Sequence, residues 1–421
     1  MAEEEETKIL SDSQLLDLVQ KQTFRYFWDF GHPVSGLSRE RSNVADYGPE
    51  VVTIGGTGFG VMSIIVATER KWITREQAAE RLLKMLRFLE KSDRFHGMFP
   101  HWLNGETGKV RPFSPNDNGA DIVESAYLFQ GLIAVKEYFN GSTKEEEEIR
   151  NIITKFWNEA DWNWFTRGGQ NVLYWHWSPD KGWKMNHQIR GYNECLITYI
   201  LAASSPTHSI SAQVYHRGWA GEKNFKNGKE YYGIKLPLGF EYGGPLFFSH
   251  YSFLGLDPHG LKDSYADYWE QNRNHTLINR QYCIENPKKF KGYSDSCWGL
   301  TASDNHKGYG AHSPTEDLGV ITPTAAISSI PYTPEYSIKA MRNFYENLGD
   351  SLWTEYGFAD AFNLTENWFA KSHLAIDQGP IIVMIENYRT GLLWKLFMKN
   401  ADVHRGLRKL GFESPYLLAE K

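Results

Sequence analysis

Cysteine is scarce in this chain. Cys195, Cys283 and Cys297 are the only three in 421 residues, too few and too scattered for a disulfide framework, and none sits in a CxxC pair or another zinc spacing. Three buried thiols are expected. No run of about 18 apolar residues occurs, so no membrane insertion is expected. Basic residues number 45 against 51 acidic ones, a formal charge of −6, and no Lys/Arg stripe is present. Nucleic acid is therefore excluded as an expected partner. The Gly-rich string TIGGTGFG lacks the lysine of a P-loop, and no GxSxG, HxH or HExxH occurs. Neither a metal nor a cofactor is expected.

Aromatic side chains, by contrast, are abundant. They make up 15% of the chain, with 15 Trp and 23 Tyr, enough for a Trp-rich core and also for a groove that stacks on sugar rings. Hydrophobic residues at 41% and charged ones at 23% place the chain among globular proteins with a sizeable core.

Helical periodicity dominates. Segments 12–29, 74–91 and 146–158 carry one apolar stripe, whereas 53–68, 119–138 and 191–204 are apolar nearly all round and read as buried helices. After an irregular middle the alternation resumes, with buried segments at 316–330 and 378–398. Buried helices recur roughly every 55 to 65 residues, a spacing suited to helix-pair repeats rather than to shorter solenoid units. The expectation is an all-α (α/α)6 barrel, its sixth inner element drawn from the irregular middle. Residues 1–10 are read as a flexible tail and 11–421 as a single catalytic domain. The opening MAEEEETK looks like a mature chain restarted with Met.

Aromatic, Gly-rich passages precede several buried helices: GMFPHWLNGETGKVRPF, NVLYWHWSPDKGWKM, WGLTASDNHKGYG and YGFADAFNLTENWF. Each reads as a small hairpin or functional loop, and a ring of helix pairs brings such loops to one end. Trp102, Trp177, Trp183, Tyr309, Phe362 and Trp368 are expected to line a substrate groove there, with His312 in the same loops.

Acids gather at the heads of the buried helices. Asp117, Asp121 and Glu124 are spaced by four and three, so they share a face once the helix begins. Glu194 heads the next buried helix, Glu316 and Asp317 another, and Asp377 lies three residues before Pro380 at an expected first turn. Capping and the helix dipole favour acids at such places, but they do not explain why the inner helices hold these groups while the outer ones mix acids with Lys and Arg. Clustered carboxylates among rings are the equipment of glycoside hydrolysis. An acidic cleft opposes the lyase alternative, which needs an anionic polymer. A glycan-binding protein without catalysis would keep the rings and need no paired acids.

The strings VTIGGTGFGVM, NDNGADIVESAYLFQG, RGYNECLITYILAASSPTH, PLFFSHYSFLGLDPHGLKD and DQGPIIVMIENYRTGLLWKLF resemble glycoside hydrolase family 144, the bacterial endo-β-1,2-glucanase and glucoamylase-like family. The likeness runs from about Leu15 to about Tyr416. It implies one (α/α)6 barrel, a neutral β-1,2-glucan or oligosaccharide substrate, hydrolysis with inversion, a periplasmic or secreted location and a monomer. It also assigns importance to Asp117, Asp121, Glu194 and Asp377. The roles expected are Glu194 as general acid, Asp377 as base through water, and Asp117 and Asp121 as substrate holders or proton relays. Exo action that releases sophorose is the alternative within the same fold.

Overall fold

The computed structural model describes residues 9–43 and 47–417. The first eight residues of the expected tail lie outside the described residues, while Leu10 is anchored by Arg342, whose guanidinium donates to its carbonyl at 2.7 Å.

The α-helices are α1 Asp12–Trp28, α2 Ile54–Glu69, α3 Arg75–Lys91, α4 Ile122–Tyr138, α5 Lys144–Glu159, α6 Leu196–Ser204, α7 Tyr268–Glu285, α8 Pro323–Ile327, α9 Pro334–Glu346, α10 Gly349–Leu352, α11 Ala375–Thr390, α12 Leu392–Met398 and α13 Ala401–Lys409. Outer helices start where local chemistry says they should. Ser11 and Thr74 form capping boxes with Gln14 and Gln77, and Thr143 and Asp267 cap α5 and α7 through their side chains. Such caps satisfy amide donors that the first turn leaves unpaired.

The inner elements form a closed circuit. Helix α2 lies against α4 and α11, α4 against α6, α6 against a 3-10 turn at Tyr251–Phe253, and α8 against α11. His250 to Ser329 Oγ at 2.8 Å and Tyr332 OH to the Ser249 carbonyl at 2.9 Å join the turn to the α8 segment. Outside this ring α1 packs on α11, α3 and α5 on each other, α13 on α6, and α9 on α8. The fold is the expected (α/α)6 barrel. One apolar core runs through it from Leu15 to Phe412.

Close approach of α2 to α4 explains the Gly-rich string. A Cβ at Gly58 would stand 2.3 Å from the Tyr127 carbonyl oxygen, and one at Gly131 would stand 2.3 Å from that of Gly58. Only glycine lets the two backbones meet there.

Three inner segments differ from expectation. Residues 316–322 do not extend α8, because Gly319 takes a φ of +85° and Asp317 is used to accept the Gly319 amide. The segment 378–398 is two helices, broken by Gly391 at φ +69°. Helix α11 already begins at Ala375, so Asp377 lies in its first turn while Pro380 falls inside. The irregular middle supplies its inner element as two 3-10 turns, Leu246–Ser249 and Tyr251–Phe253. Gln130 of α4 holds them, donating to the Tyr251 carbonyl and accepting from the Gly255 amide, both at 2.9 Å.

Short antiparallel pairs fill the loops, among them 102–104 with 110–111, 302–305 with 308–311, and 362–363 with 368–369. Strand 176–177 pairs instead with 120–121, which ties one loop to the head of α4. The three cysteines are free and buried, and no helix among the described residues is long and apolar enough to cross a membrane.

Candidate active site

A cavity of about 270 Å³ opens at the heads of the inner helices. Glu40, Glu124 and Glu194 supply its carboxylates, and Tyr47, Trp102, Phe113, Trp175, Phe247 and Tyr309 much of its ring surface. Tyr309, Phe113 and Tyr47 are exposed at 58%, 49% and 39%, so their faces are free to meet a ligand. Trp102 sits between Tyr47 and Phe113, with ring centroids 5.1 and 4.9 Å away.

Helix α4 positions the first acid group. Asp121 is its N-cap, and Oδ1 accepts from the Val123 and Glu124 amides at 2.9 Å and from Trp175 Nε1 at 3.0 Å. Glu124, one turn on, accepts the Gly55 amide at 2.7 Å, and a Cβ at Gly55 would clash with that same oxygen at 2.2 Å. His101 stands between the two acids, Nδ1 at 3.3 Å from Asp121 and Nε2 at 3.5 Å from Glu124. Phe113 stacks on its ring at 4.1 Å.

Burial works against the His101 imidazolium, but Glu124, Asp121 and Asp117 outweigh it and raise its pKa to about 9. His101 is therefore the positive charge of this cluster at neutral pH. Burial and the neighbouring Asp121 push Asp117 up to about 7. Burial also raises Glu124 to about 7, against the pull of His101. In Asp121 burial is more than offset by His101, His176 and the Glu124 amide, and its pKa is lowered. His176, 3.6 Å from Asp117, is held neutral by burial, its pKa about 4. One ligand atom each from His101, Asp117 and Asp121 fall within 4.8 Å of one another, so these three could hold a cation. The imidazolium already supplies the compensating charge there.

Glu194, two residues before α6, lies on the cavity wall. Its carbonyl accepts Ser252 Oγ at 2.7 Å, which ties it to the 3-10 turn. Burial first, then Glu124 and Asp121, push its carboxyl up to about 7.

Asp377 is only 2% exposed and stands behind the wall formed by Leu374, Ile376 and Tyr251. The Tyr251 hydroxyl donates to its Oδ1 at 3.3 Å. Burial, with Asp304 and Glu40 nearby, raises its pKa to about 7, while a hydrogen bond from Asp360 opposes the rise. Arg41 reaches Glu40 at 2.8 Å and Asp304 at 2.9 Å.

The structure thus brings Glu124, Glu194, Trp102 and Tyr309 to the cavity, with Asp117, Asp121 and Asp377 buried close behind. Other expectations need correction. Strand alternation turns His176 toward Asp117 and leaves Trp177 against His96 and Trp164, at 4.6 and 5.9 Å. Trp183 joins that cluster, 6.2 Å from Trp164. Phe362 is core, packed on Phe344 and Phe369 at 5.7 Å. Trp368 stands beside His306 at 6.5 Å, away from the cavity wall. The His312 ring is consumed by the Thr301 carbonyl at 2.8 Å and Asn305 at 3.0 Å. Glu316 is exposed in the turn before α8, and Asp317 accepts the Tyr293 and Tyr282 hydroxyls. These loop rings and polar groups complete their own hairpins, a need as strong as any ligand's.

Glu40, Arg41, His101, Phe113, Asp304 and Asp360 were missed as site residues. The one sequence signal for Asp360 is an acid alone in the apolar string YGFADAFN. Glu40 and Arg41 lie in a loop whose neighbours carry no periodicity.

A helical toroid with a ring-walled acid cavity at the heads of its inner helices belongs to the glucoamylase-like (α/α)6 class. The chain belongs, more narrowly, to the glucoamylase family named Glycoamylase, whose model matches residues 186–401. An exo-β-1,2-glucooligosaccharide sophorohydrolase (non-reducing end) of Parabacteroides distasonis is 47% identical over 95% of this chain. The chain spans 58% of that relative's length. A solved Bacteroides uniformis protein with the same glucoamylase description is 67% identical, with a TM-score of 0.96 over 97% of this chain and all of that one. The endo-β-1,2-glucanase of Chitinophaga pinensis, solved with sophorotriose and glucose, is 56% identical with a TM-score of 0.95 over 97% of this chain and all of that one. The resemblance to glycoside hydrolase family 144 is upheld by these relatives.

Proposed function

We propose that this protein hydrolyses β-1,2-linked glucan or its oligosaccharides with inversion. The observation that carries the reading is Glu194 on the cavity wall just before one inner helix, its carboxyl pushed up to about 7 by burial, together with a second buried acid, Asp377, in the first turn of another. Glu194 gives its proton to the departing glycosidic oxygen. A water, its proton passing toward Asp377, attacks the anomeric carbon from the opposite face. An inverting pair stands roughly 6.5 to 9.5 Å apart so that this water fits between the two carboxyls. Exposed rings at the mouth suit neutral sugars, whose ring faces stack while their hydroxyls need no counter-charge.

Glu124 is fixed by the Gly55 amide and His101, which suits it to hold a sugar hydroxyl. Asp117 and Asp121 support it from behind. The relatives include one exo-acting and one endo-acting enzyme, and product sizing decides between them. Incubation with β-1,2-, β-1,3-, β-1,4- and α-1,4-glucans should release reducing ends from the first alone. Sophorose as the sole early product would mean exo action, and a ladder of sizes endo action. Cleavage of another linkage in preference would overturn the substrate.

A further inference from the structure

Asp360 plays no part in the acid and base steps above, yet it is 2% exposed and touches the proposed base. Its Oδ2 accepts the Asp304 amide at 2.7 Å. Among the described residues its Oδ1 has no donor, and neither has Asp377 Oδ2. The two carboxyl groups are nevertheless neighbours that act directly on each other. Two carboxylates cannot hydrogen-bond without a proton, because each ionised group only accepts. Two neighbouring buried carboxyls, each with an oxygen that finds no donor, therefore point to a shared proton.

The surroundings say which partner carries it. The Tyr251 hydroxyl donates to Asp377, which favours the ionised form on that side. Among the described residues, Asp360 receives one amide on Oδ2 and no donor on Oδ1. The other charged and titratable groups facing the pair are Asp304, Glu40, Tyr26 and Tyr309. Arg41 pairs with Glu40 and Asp304, at 2.8 and 2.9 Å. Asp304 accepts Ser372 Oγ as well, at 2.5 Å.

We infer that Asp360 is a positioning residue that shares its carboxyl proton with Asp377, favouring the ionised form of that carboxyl and orienting it for catalysis. The inference rests on the proposed role of Asp377. Burial and the adjacent Asp377 both act to keep the Asp360 proton in place. A donated hydrogen bond stabilises the ionised form of the acceptor, so Asp360 lets Asp377 act as a base at a lower pH than its burial alone allows. The pair then titrates as a unit.

Asparagine imitates a protonated aspartic acid here. Its amide nitrogen can donate to Asp377 while its oxygen accepts the Asp304 amide. Asp360→Asn should keep kcat within about threefold of wild type with an unmoved acid limb. Asp360→Ala should move the acid limb upward by about one pH unit and leave KM unchanged, because only the donor to the ionised form is lost. Loss of activity in Asp360→Asn as deep as that in Asp377→Asn would overturn the inference, since Asp360 would then work as an anion. An acid limb unmoved in Asp360→Ala would overturn it too. A substrate-free readout separates this from a wrong assignment of the activity. At pH 6 the infrared difference between wild type and Asp360→Asn should contain one protonated-carboxyl band of the wild type. Absence of that band would sink the shared proton whatever the enzyme hydrolyses.

Discussion

The two acidic sides of the cavity balance their charge by different means. Around the head of α4, a histidine is inserted among three carboxyls and carries the positive charge, with His101 between Asp121 and Glu124. At the head of α11, Arg41 pairs with Glu40 and Asp304, and on the inference above the innermost carboxyls, Asp360 and Asp377, share a proton. The first arrangement fixes charge in place, as a binding surface needs. The second keeps a carboxyl close to its titration point near pH 7, as a proton-accepting step needs. Glu194 lies on the cavity wall near Glu124 and Asp121, and burial first of all raises its proton affinity.

Substitutions on the two sides should therefore fail in different ways. The largest losses belong to the groups that move protons. Glu194→Gln and Asp377→Asn should each lower kcat by about 10²-fold or more, as loss of a general acid or base does, with KM little changed. Near-wild-type turnover in either would remove that residue from the mechanism. On the other side, His101→Gln removes a charge-assisted partner from two acids and should cost about 2 kcal/mol of stability at pH 6 in urea unfolding. The loss should shrink as pH rises past 9, where wild-type His101 is itself neutral.

Smaller still is the effect at the rim. Trp102→Ala should raise KM by about threefold to tenfold and spare kcat, since a stacked ring contributes about 0.5 to 1.5 kcal/mol. A fall in kcat alone would place Trp102 in the chemistry instead.

Thermal stability sharpens the comparison through pH. Asp117, Glu124, Glu194 and Asp377 have folded pKa values of about 7, above ordinary carboxyls near 4. The native state therefore holds protons that the unfolded chain has released, and stability declines as pH rises between those values. His101, raised to about 9, contributes stability that is full below about 6.5 and is lost as pH rises through 9. Both trends lower Tm from pH 5 to pH 9. His101→Gln should flatten only the upper part of that slope.

The same two sides were unequally legible in the sequence. Asp117, Asp121 and Glu124 announce themselves because three acids at helical spacing open an otherwise apolar helix. Their counter-ion does not, since His101 lies in a loop and meets them only through the pairing of 102–104 with 51–53. Asp377 is visible beside a buried helix, whereas Asp360 and Asp304 come from separate hairpins that only tertiary packing brings to it. The ring of inner helices could be read from apolar periodicity, but the 3-10 turns at 246–253 could not. They are held by Gln130 and Ser252 rather than by any period of their own. The loop aromatics misled for a related reason. Trp177, Trp183 and Phe362 look the same in sequence as Trp102 and Tyr309, and the face each shows is decided by strand pairing and by neighbours far away in the chain.

The anomeric form of the first sugar released from β-1,2-glucan, followed by proton NMR before mutarotation, tests the central claim most directly. An inverting pair made of Glu194 and Asp377 predicts the α-anomer as the initial product. Initial release of the β-anomer would contradict inversion and shift the chemistry toward the close pair Asp117 and Asp121.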